Sequence, residues 1–362
     1  MSAITIGGDL IHYEKLGRGR PVILVHGWIG SWRYWIPLMQ RLHTSFSVYT
    51  VDLIGFGDSS KNKEHYSIDK QVDMLETFLS QLGIPKAAMI GHGFGAMVIL
   101  KFADRNPDKV ARMMLNSMPL FDPGDLATRS PAGTRQMLTA NRDRYSLAPS
   151  IEDVMGTNDK TLINQGSDSD KTIVSSSTSS GIYTPFHELP TINRPATENI
   201  DRDALRRAAE ERDRKKNPDN NPLYDAFKGN KVINLLEKCF DKKEPEFDKL
   251  KADVEKSDDN ILITSSEEFS AGTFLDDLRR ATAPILAIHG KKDPIVAAPK
   301  SAVWEYLTRD KPDMFVPIEL DGVRHFPMLE YDQFARIAND FLTLPDISKI
   351  EKDKTGWQRR SR

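Results

Sequence analysis

Along the first third of the chain, short and continuously apolar runs alternate with longer apolar stripes that have helical spacing. Continuous runs rich in β-branched residues are typical of strands buried on both faces of a parallel sheet. A stripe repeating every three or four residues is typical of a helix with one buried face. Strands are predicted over residues 10–16, 22–25, 47–51, 87–90 and 110–116, and helices over 31–42, 67–82 and a stretch ending at Asn106. This order predicts an α/β fold with a doubly wound, mostly parallel sheet.

The pattern breaks after Asp122 and resumes at Pro284. Residues 123–283 lack runs typical of buried parallel strands. They contain a serine-rich, low-complexity stretch at 175–181, and an amphipathic stripe formed by Val232, Leu235, Leu236, Cys239 and Phe240. We therefore predict a mostly helical cap, or lid, inserted at 123–283 and partly disordered, with its structure least defined around 165–222.

The core pattern after the insertion predicts strands over 284–288 and 315–320, a helix through Val303 and Leu307, and a closing helix marked by Phe334 and Phe341. The predicted organisation is a core formed by residues 1–122 and 284–345, interrupted by the cap. Residues 346–362 are polar and basic, which predicts a solvated tail.

Composition narrows the classes of partner and compartment. The 362 residues include 50 Lys and Arg against 52 Asp and Glu, for a formal net charge of −2, so we expect neither nucleic acid nor an anionic membrane as a partner. Cys239 is the single cysteine, which excludes an intrachain disulfide and favours a reducing compartment. We see no signal peptide and no apolar run of transmembrane length. The expected location is the cytoplasm, and the oligomeric state is left open.

The segment Gly91-His92-Gly93-Phe94-Gly95 follows the predicted strand at 87–90 and precedes a predicted helix. A strand that turns sharply into a helix through Gly-x-Ser-x-Gly is a nucleophile elbow. In this chain the central residue is Gly93, which has no side-chain oxygen or sulfur. Gly93 therefore marks the nucleophile position without supplying a nucleophile.

The motif His26-Gly27-Trp28 ends an earlier predicted strand. In an elbow site, a loop at that position supplies one backbone N–H of the oxyanion hole, and the residue after the nucleophile supplies the other. We predict Trp28 and Phe94 as these donors. Because both donors are backbone groups, loss of the serine side chain leaves them in place.

Two further residues complete the predicted constellation. Asp293 follows the strand at 284–288, and His325 lies in the loop after the strand at 315–320. The order of nucleophile, acid and histidine along the chain matches that of elbow hydrolases, and an Asp would hold the imidazole in one tautomer. Asp122 is an alternative acid. Residues predicted to line the pocket are His26, Gly27, His92 and Phe326.

Other chemistries have weaker support in the sequence. The stretch from Asp52 to Ser59 ends a strand, but it lacks the patterns that open a phosphate-binding helix. The histidines show no metal-ligand spacing. We expect no metal and no cofactor, and a small ester-like or hydrophobic molecule as the ligand.

These motifs together resemble the α/β-hydrolase superfamily over about residues 4–122 and 284–343. The resemblance implies an active site between the core and a cap inserted after the sixth strand. It does not specify one substrate, because esterases, C–C hydrolases, epoxide hydrolases and dehalogenases share most of the motifs. The residues that carry it are His26-Gly27, Asp52-x-x-Gly55-x-Gly57-x-Ser59, Gly91-His92-x-x-Gly95, Asn106-Pro107, Asp293 and His325.

Gly93 departs from the family pattern and leaves three interpretations open. The first is an esterase-like serine-hydrolase scaffold that lacks its nucleophile and is inactive or very weak. The second is a non-catalytic protein that binds a ligand or partner, similar to the N-myc downstream-regulated family, which resembles this chain and lacks a catalytic triad. The third is a proton-transfer enzyme, such as a lyase or a cofactor-independent oxygenase, with His325 as the base.

Overall fold

The computed structural model describes residues 2–129 and 221–350. Its centre is an eight-stranded sheet in the order β1-β2-β4-β3-β5-β6-β7-β8. β2 is antiparallel to both β1 and β4, and β3 to β8 run parallel. The strands are β1 Ser2–Ile6, β2 Asp9–Leu16, β3 Arg20–Val25, β4 Phe46–Val51, β5 Ala87–His92, β6 Val110–Asn116, β7 Ile285–Gly290 and β8 Phe315–Leu320. The predicted fold class, a mostly parallel α/β-hydrolase sheet, is confirmed.

Eleven α-helices lie within the described residues. Those that join strands of the first half are α1 Ile36–Leu42, α2 Ile68–Gln81 and α3 Phe94–Arg105. Those between β6 and β7 are α4 Pro222–Phe227, α5 Val232–Cys239, α6 Pro245–Val254, α7 Asn260–Glu267 and α8 Ala271–Arg280. The last three are α9 Ser301–Thr308, α10 Pro327–Glu330 and α11 Phe334–Thr343.

Local sequence explains where these helices begin. The hydroxyl of Ser67 accepts a hydrogen bond from the Lys70 N–H and caps α2, as its residue type predicts. Residues 31–42, predicted as one helix, form a short 3-10 turn, Trp32–Trp35, followed by α1. Pro37 lies in the first turn of α1, where its missing N–H costs no helical hydrogen bond.

β1 is the strand that the hydrophobic pattern did not predict. It is an edge strand whose residues alternate between half-buried and exposed up to Ile6, so it contains no continuous apolar run. At the other end of the chain, Ile347 and Ile350 are buried. Residues 346–350, the first part of the predicted tail, therefore pack against the core.

The described residues between β6 and β7 form helices and loops without a strand. Their apolar stripes are buried, including Val232, Leu235 and Cys239 of α5, and α8 packs against α3. The predicted low-complexity segment at 175–181, most of the 165–222 region and the end of the tail at 351–362 lie outside the described residues. No helix in the described ranges has the length and apolar character needed to cross a bilayer.

Candidate active site

Gly93 is the single residue between the end of β5 and the start of α3. Its backbone has φ +48° and ψ −111°, a conformation that side-chain-bearing residues rarely adopt. Its N–H donates to the carbonyl of Asn116 at 2.8 Å, which ties the turn to the end of β6. The sharp strand-to-helix turn of a nucleophile elbow is present, with a buried glycine at its apex.

α3 packs closely behind this turn because its second residue is Gly95. A Cβ on Gly95 would collide with the backbone carbonyl of His26, and one on Gly91 would lie 2.7 Å from the backbone of Ala96. Gly95 therefore lets the start of α3 lie against the end of β3, and Gly91 lets it lie against β5. This contact places the elbow beside the loop that follows β3.

The indole of Trp28 lies over Gly93. A Cβ added to Gly93 would come within 3.1 Å of both Cε3 and Cζ3 of Trp28. The indole is held by a hydrogen bond from its Nε1 to Ser265 Oγ at 2.9 Å, by stacking on Phe94 and by an edge contact with Phe227. A side chain at position 93 would therefore require a restrained ring to move.

The predicted oxyanion donors are the backbone N–H groups of Trp28 and Phe94. Neither N–H donates a hydrogen bond to another backbone group within the described residues. Phe94 is the first residue of α3, and the N-terminus of a helix attracts negative charge. The two groups are thus available to a ligand oxygen.

His325 and Asp293 meet as predicted from their order along the chain. The Nδ1–H of His325 donates to Asp293 Oδ2 at 2.8 Å, and both side chains are fully buried. Asp293 Oδ1 accepts from the N–H groups of Ile295 and Val296. Burial by itself would raise the pKa of Asp293, but His325, His289 and the N–H of Val296 bring it below its usual value.

The other ring nitrogen of His325, Nε2, is buried and has no hydrogen-bond partner among the residues that the structure describes. Because Nδ1 carries the proton that Asp293 accepts, Nε2 carries a lone pair in the neutral imidazole. An unpartnered basic nitrogen in a buried site is the group a general base needs. The pair can therefore accept a proton from a bound molecule.

Hydrogen bonds link this pair to the elbow and to the loop after β3. The N–H of Gly27 donates to the Tyr34 hydroxyl at 2.7 Å, and that hydroxyl donates to His92 Nδ1 at 2.9 Å. The Nε2–H of His92 then donates to the carbonyl of His325 at 2.8 Å, which also accepts from the Ser117 hydroxyl. Burial places the pKa of His92 well below its ordinary value, so the ring stays neutral.

The predicted pocket residues occupy two kinds of position. Both ring nitrogens of His92 are hydrogen-bonded, as are those of His26, whose Nδ1–H donates to the Gly27 carbonyl and whose Nε2 accepts from the Leu53 N–H. These two histidines support the loops from beneath and offer a ligand no free nitrogen. Phe326 packs against the rings of His325 and His92.

A model of the alpha/beta hydrolase fold matches residues 20–330, most of the chain. The chain belongs to the alpha/beta hydrolase fold family. Curated relatives of this hydrolase-fold protein match over a shorter region. A soluble epoxide hydrolase from Corynebacterium sp. (strain C12) is 35% identical over 113 residues, covering 31% of this chain and 40% of that protein. A haloalkane dehalogenase from Agrobacterium fabrum is 33% identical over 103 residues, covering 28% and 34%. This chain thus spans two fifths or less of the length of these relatives.

Solved structures agree with the hydrolase fold over nearly the whole chain. A membrane phospholipase A, described as a bacterial virulence factor, superposes with a TM-score of 0.56 at 16% identity, and the match covers 94% of this chain and 84% of that one. A meta-cleavage product hydrolase from Pseudomonas fluorescens IP01 gives 0.52 at 16% identity, covering 94% and 98%. At these identities the similarity establishes the fold alone.

Asp122, the alternative acid of this hydrolase-fold site, accepts a hydrogen bond from the Gly124 N–H in its own loop. Asp293 is the carboxylate hydrogen-bonded to His325.

The stretch after β4 brings His12, Asp52 and Asp58 within 4.8 Å of one another. Asp52 accepts from the N–H groups of Trp32 and Asp58 and from His12 Nδ1. Asp58 pairs with the cations of Arg33 and Lys256. The carboxylates of Asp52 and Asp58 are therefore already bound by donors of the protein itself. Their contacts stabilise the turn that follows β4.

Tyr34 and Ser117 are the supporting residues that sequence reasoning missed. Ser117 has a positive φ of 46°, and its hydroxyl contacts a carbonyl 208 positions away in the sequence. No periodicity or short motif signals such contacts between loops. A polar residue directly after the strand at 110–116 was the one available hint.

Proposed function

We propose that this chain is an esterase-like serine-hydrolase scaffold in which Gly93 leaves ester hydrolysis absent or very weak. The observation that carries the proposal is the pairing of His325 with Asp293, with a free Nε2, in a site whose elbow has no nucleophile. The ligand we infer is a small molecule with an ester-like carbonyl. Its surroundings are apolar, since Trp28, Phe94 and Phe326 are all buried at the site.

The geometry supports a division of roles among the residues. The carbonyl oxygen of a ligand accepts from the N–H groups of Trp28 and Phe94, which stabilise the negative charge that develops when the carbonyl is attacked. His325 Nε2 accepts the proton of the attacking group, and Asp293 stabilises the resulting imidazolium. The imidazolium then gives that proton to the leaving alcohol oxygen as the acyl C–O bond breaks, which leaves a carboxylic acid and an alcohol. With no hydroxyl at position 93, water is the available attacking group, and it is not held in place by a covalent bond.

The chemistry named for the curated relatives requires a different residue at the elbow. Epoxide hydrolase and dehalogenase members of the family carry Asp at that position. Gly93 cannot form the covalent ester that such an Asp forms, so we do not extend epoxide opening or dehalogenation to this chain. Binding of an ester-like ligand requires only the backbone N–H groups of Trp28 and Phe94 and the side chain of His325.

A second candidate is ligand capture without turnover. The Trp28 indole, 3.1 Å from where a Cβ would stand, favours it, because a ring held on three sides fits glycine better than serine. On this reading the buried site keeps its ligand-binding groups and has lost its reaction.

The test compares hydrolysis of chromogenic esters of increasing acyl length by the native chain and by Gly93→Ser. We expect Gly93→Ser to raise kcat/KM at least about 100-fold, because nucleophile loss costs far more than that in serine hydrolases. Gly93→Ala is the matched control, since it adds the same Cβ and backbone strain without the hydroxyl.

The gain must also depend on the histidine. Gly93→Ser with His325→Ala is expected to return to the rate of the native chain. If Gly93→Ser folds and remains no faster than Gly93→Ala on every ester, the serine-hydrolase proposal is wrong. Binding of the same esters to the native chain, followed by quenching of tryptophan fluorescence, then decides whether ligand capture replaces it.

A further inference from the structure

Arg324, the residue before His325, connects the histidine loop to the helices between β6 and β7. Its Nη2 donates to Glu244 Oε2 at 2.8 Å, and its Nε donates to Glu330 Oε2 at 3.0 Å. Its guanidinium also lies 4.7 Å from the centre of the Phe240 ring. Phe240 and Glu244 belong to the short connection between α5 and α6, so three contacts meet at one side chain.

This cluster is shielded from solvent. The exposed fractions of the side chains are 17% for Arg324, 11% for Glu244 and 3% for Glu330. Ion pairs in such surroundings are screened less than those on the surface. A planar guanidinium that pairs with carboxylates and stacks on an aromatic ring has little freedom to reorient.

The same cluster holds the backbone on both sides of His325. Glu330 accepts from the N–H of Arg324 at 3.2 Å and from that of Phe326 at 3.4 Å. Phe326 contacts the ring of Phe240 at 5.3 Å and lies edge-on to the ring of His325. Movement of the α5–α6 connection would therefore reach His325 by two routes, one through Arg324 and one through the aromatic rings.

The ion pair of Glu244 and Arg324 joins two parts of the chain that are distant in the sequence. Glu244 and Arg324 are 80 residues apart. The carboxylates of Glu244 and Glu330 outweigh the effect of burial and raise the pKa of Arg324, so its guanidinium is charged. Removing the charge of Glu244 leaves Arg324 with Glu330 as its carboxylate partner and frees one end of the fork.

We propose that Arg324 is a positioning residue, through which the α5–α6 connection at Phe240 and Glu244 holds the loop carrying His325 against Asp293. The role assigned to His325 rests on the proposed function. The positioning itself is a property of the native chain and is measurable without turnover.

The first experiment follows the Nδ1–H proton of His325 by NMR in the native chain and in Glu244→Gln. A proton shared with a buried carboxylate resonates far downfield, and its absence in Asp293→Asn assigns it. We expect Glu244→Gln to shift this resonance upfield and to speed its exchange with water. Glu237→Gln is the matched control, because Glu237 lies on α5 and pairs with Lys242 at the surface.

The second experiment measures ester hydrolysis in the Gly93→Ser background. Adding Glu244→Gln is expected to lower kcat roughly tenfold with KM little changed, as misplacement of a catalytic group does. Arg324→Lys is expected to recover part of the loss that Arg324→Gln causes, because it keeps the charge without the fork.

The outcomes separate the two proposals. A resonance unchanged in both Glu244→Gln and Arg324→Gln, in chains that unfold at the native urea concentration, overturns the positioning role. An equal shift in Glu237→Gln also overturns it, because the effect would then be one of general charge. If the resonance shifts as expected and Gly93→Ser does not hydrolyse esters, positioning stands and the serine-hydrolase proposal fails.

Discussion

At the scale of single residues, Gly93 has two properties that favour glycine independently. Its φ of +48° belongs to backbone conformations that side chains oppose. Its missing Cβ makes room for the Trp28 indole, which is buried and held by Ser265 and two aromatic rings. The strained backbone at Gly93 is common to nucleophile elbows. The crowding at the position of its Cβ comes instead from Trp28, which this chain places over the turn.

We predict that Gly93→Ala lowers the free energy of unfolding by about 1–3 kcal/mol, from backbone strain and crowding against Trp28. In a Trp28→Phe background the cost should be smaller, with a coupling of roughly 0.5–3 kcal/mol. Urea unfolding of the four proteins measures both values. Additive effects would show that the indole does not restrict position 93.

At the scale of elements, α3 is held in place near both of its ends. It begins at the elbow, and near its C-terminal end Lys101 Nζ lies 2.5 Å from Asp277 Oδ2 of α8. The exposed fractions are 4% and 0%. Burial raises the pKa of Asp277, while Lys101 and Arg280 oppose that rise, so the buried carboxylate is matched by two cations.

Asp277→Ala is predicted to cost about 3–5 kcal/mol of stability, because it removes a buried carboxylate that pairs with the cations of both Lys101 and Arg280. The surface pair of Lys109 and Glu76 offers a comparison. Glu76→Ala should cost at most about 1 kcal/mol, since exposed ion pairs contribute little. Chemical denaturation of both variants tests the contrast, and equal losses would contradict it.

The elements themselves were largely predictable because their signal is local. Buried parallel strands such as β3 and β7 are written as continuous apolar runs, and α2 as a stripe with a serine before it. β1 was not predicted, because an edge strand buries one side and needs no continuous apolar run. The 3-10 turn before α1 escaped because its residues fit either helical form.

The residues of the candidate site fall into the same two groups, those with a local signal in the sequence and those without one. Gly93, Asp293 and His325 follow strands, so their meeting at one end of the sheet was predictable from strand order. Tyr34 and Glu244 act through hydrogen bonds to residues brought close by folding, and no spacing in the sequence reports such a contact.

At the scale of the whole molecule, buried histidines make folding sensitive to pH. Burial lowers the pKa of His26, His92 and His289 in the folded state. The pKa of His12 is raised, because Asp52 together with Asp58 and Glu14 outweighs the effect of its burial. Below pH 6.5 the unfolded chain thus takes up protons at three positions where the folded chain resists them, and His12 works in the opposite direction.

We predict that the free energy of unfolding falls as pH decreases below about 6.5, by at most roughly 1.4 kcal/mol per pH unit for each such histidine. His12 contributes stability below that pH and loses it as pH rises through its raised pKa. Urea unfolding from pH 5 to 8 gives the slope. His289→Gln should flatten it, whereas replacement of the exposed His43 is the control, and an unchanged slope in His289→Gln would refute the assignment.

The order of strands has a consequence for synthesis of the chain. β1 to β6 lie within the first 116 residues, whereas β7, which pairs with β6 from Met113 to Asn116, begins at Ile285. A ribosome needs roughly 10–30 s to make the residues between them. During that interval the apolar edge of β6 has no neighbour, and an unpaired strand edge invites association. The nascent chain is therefore most exposed to association through β6 before Asp293 and His325 have been translated.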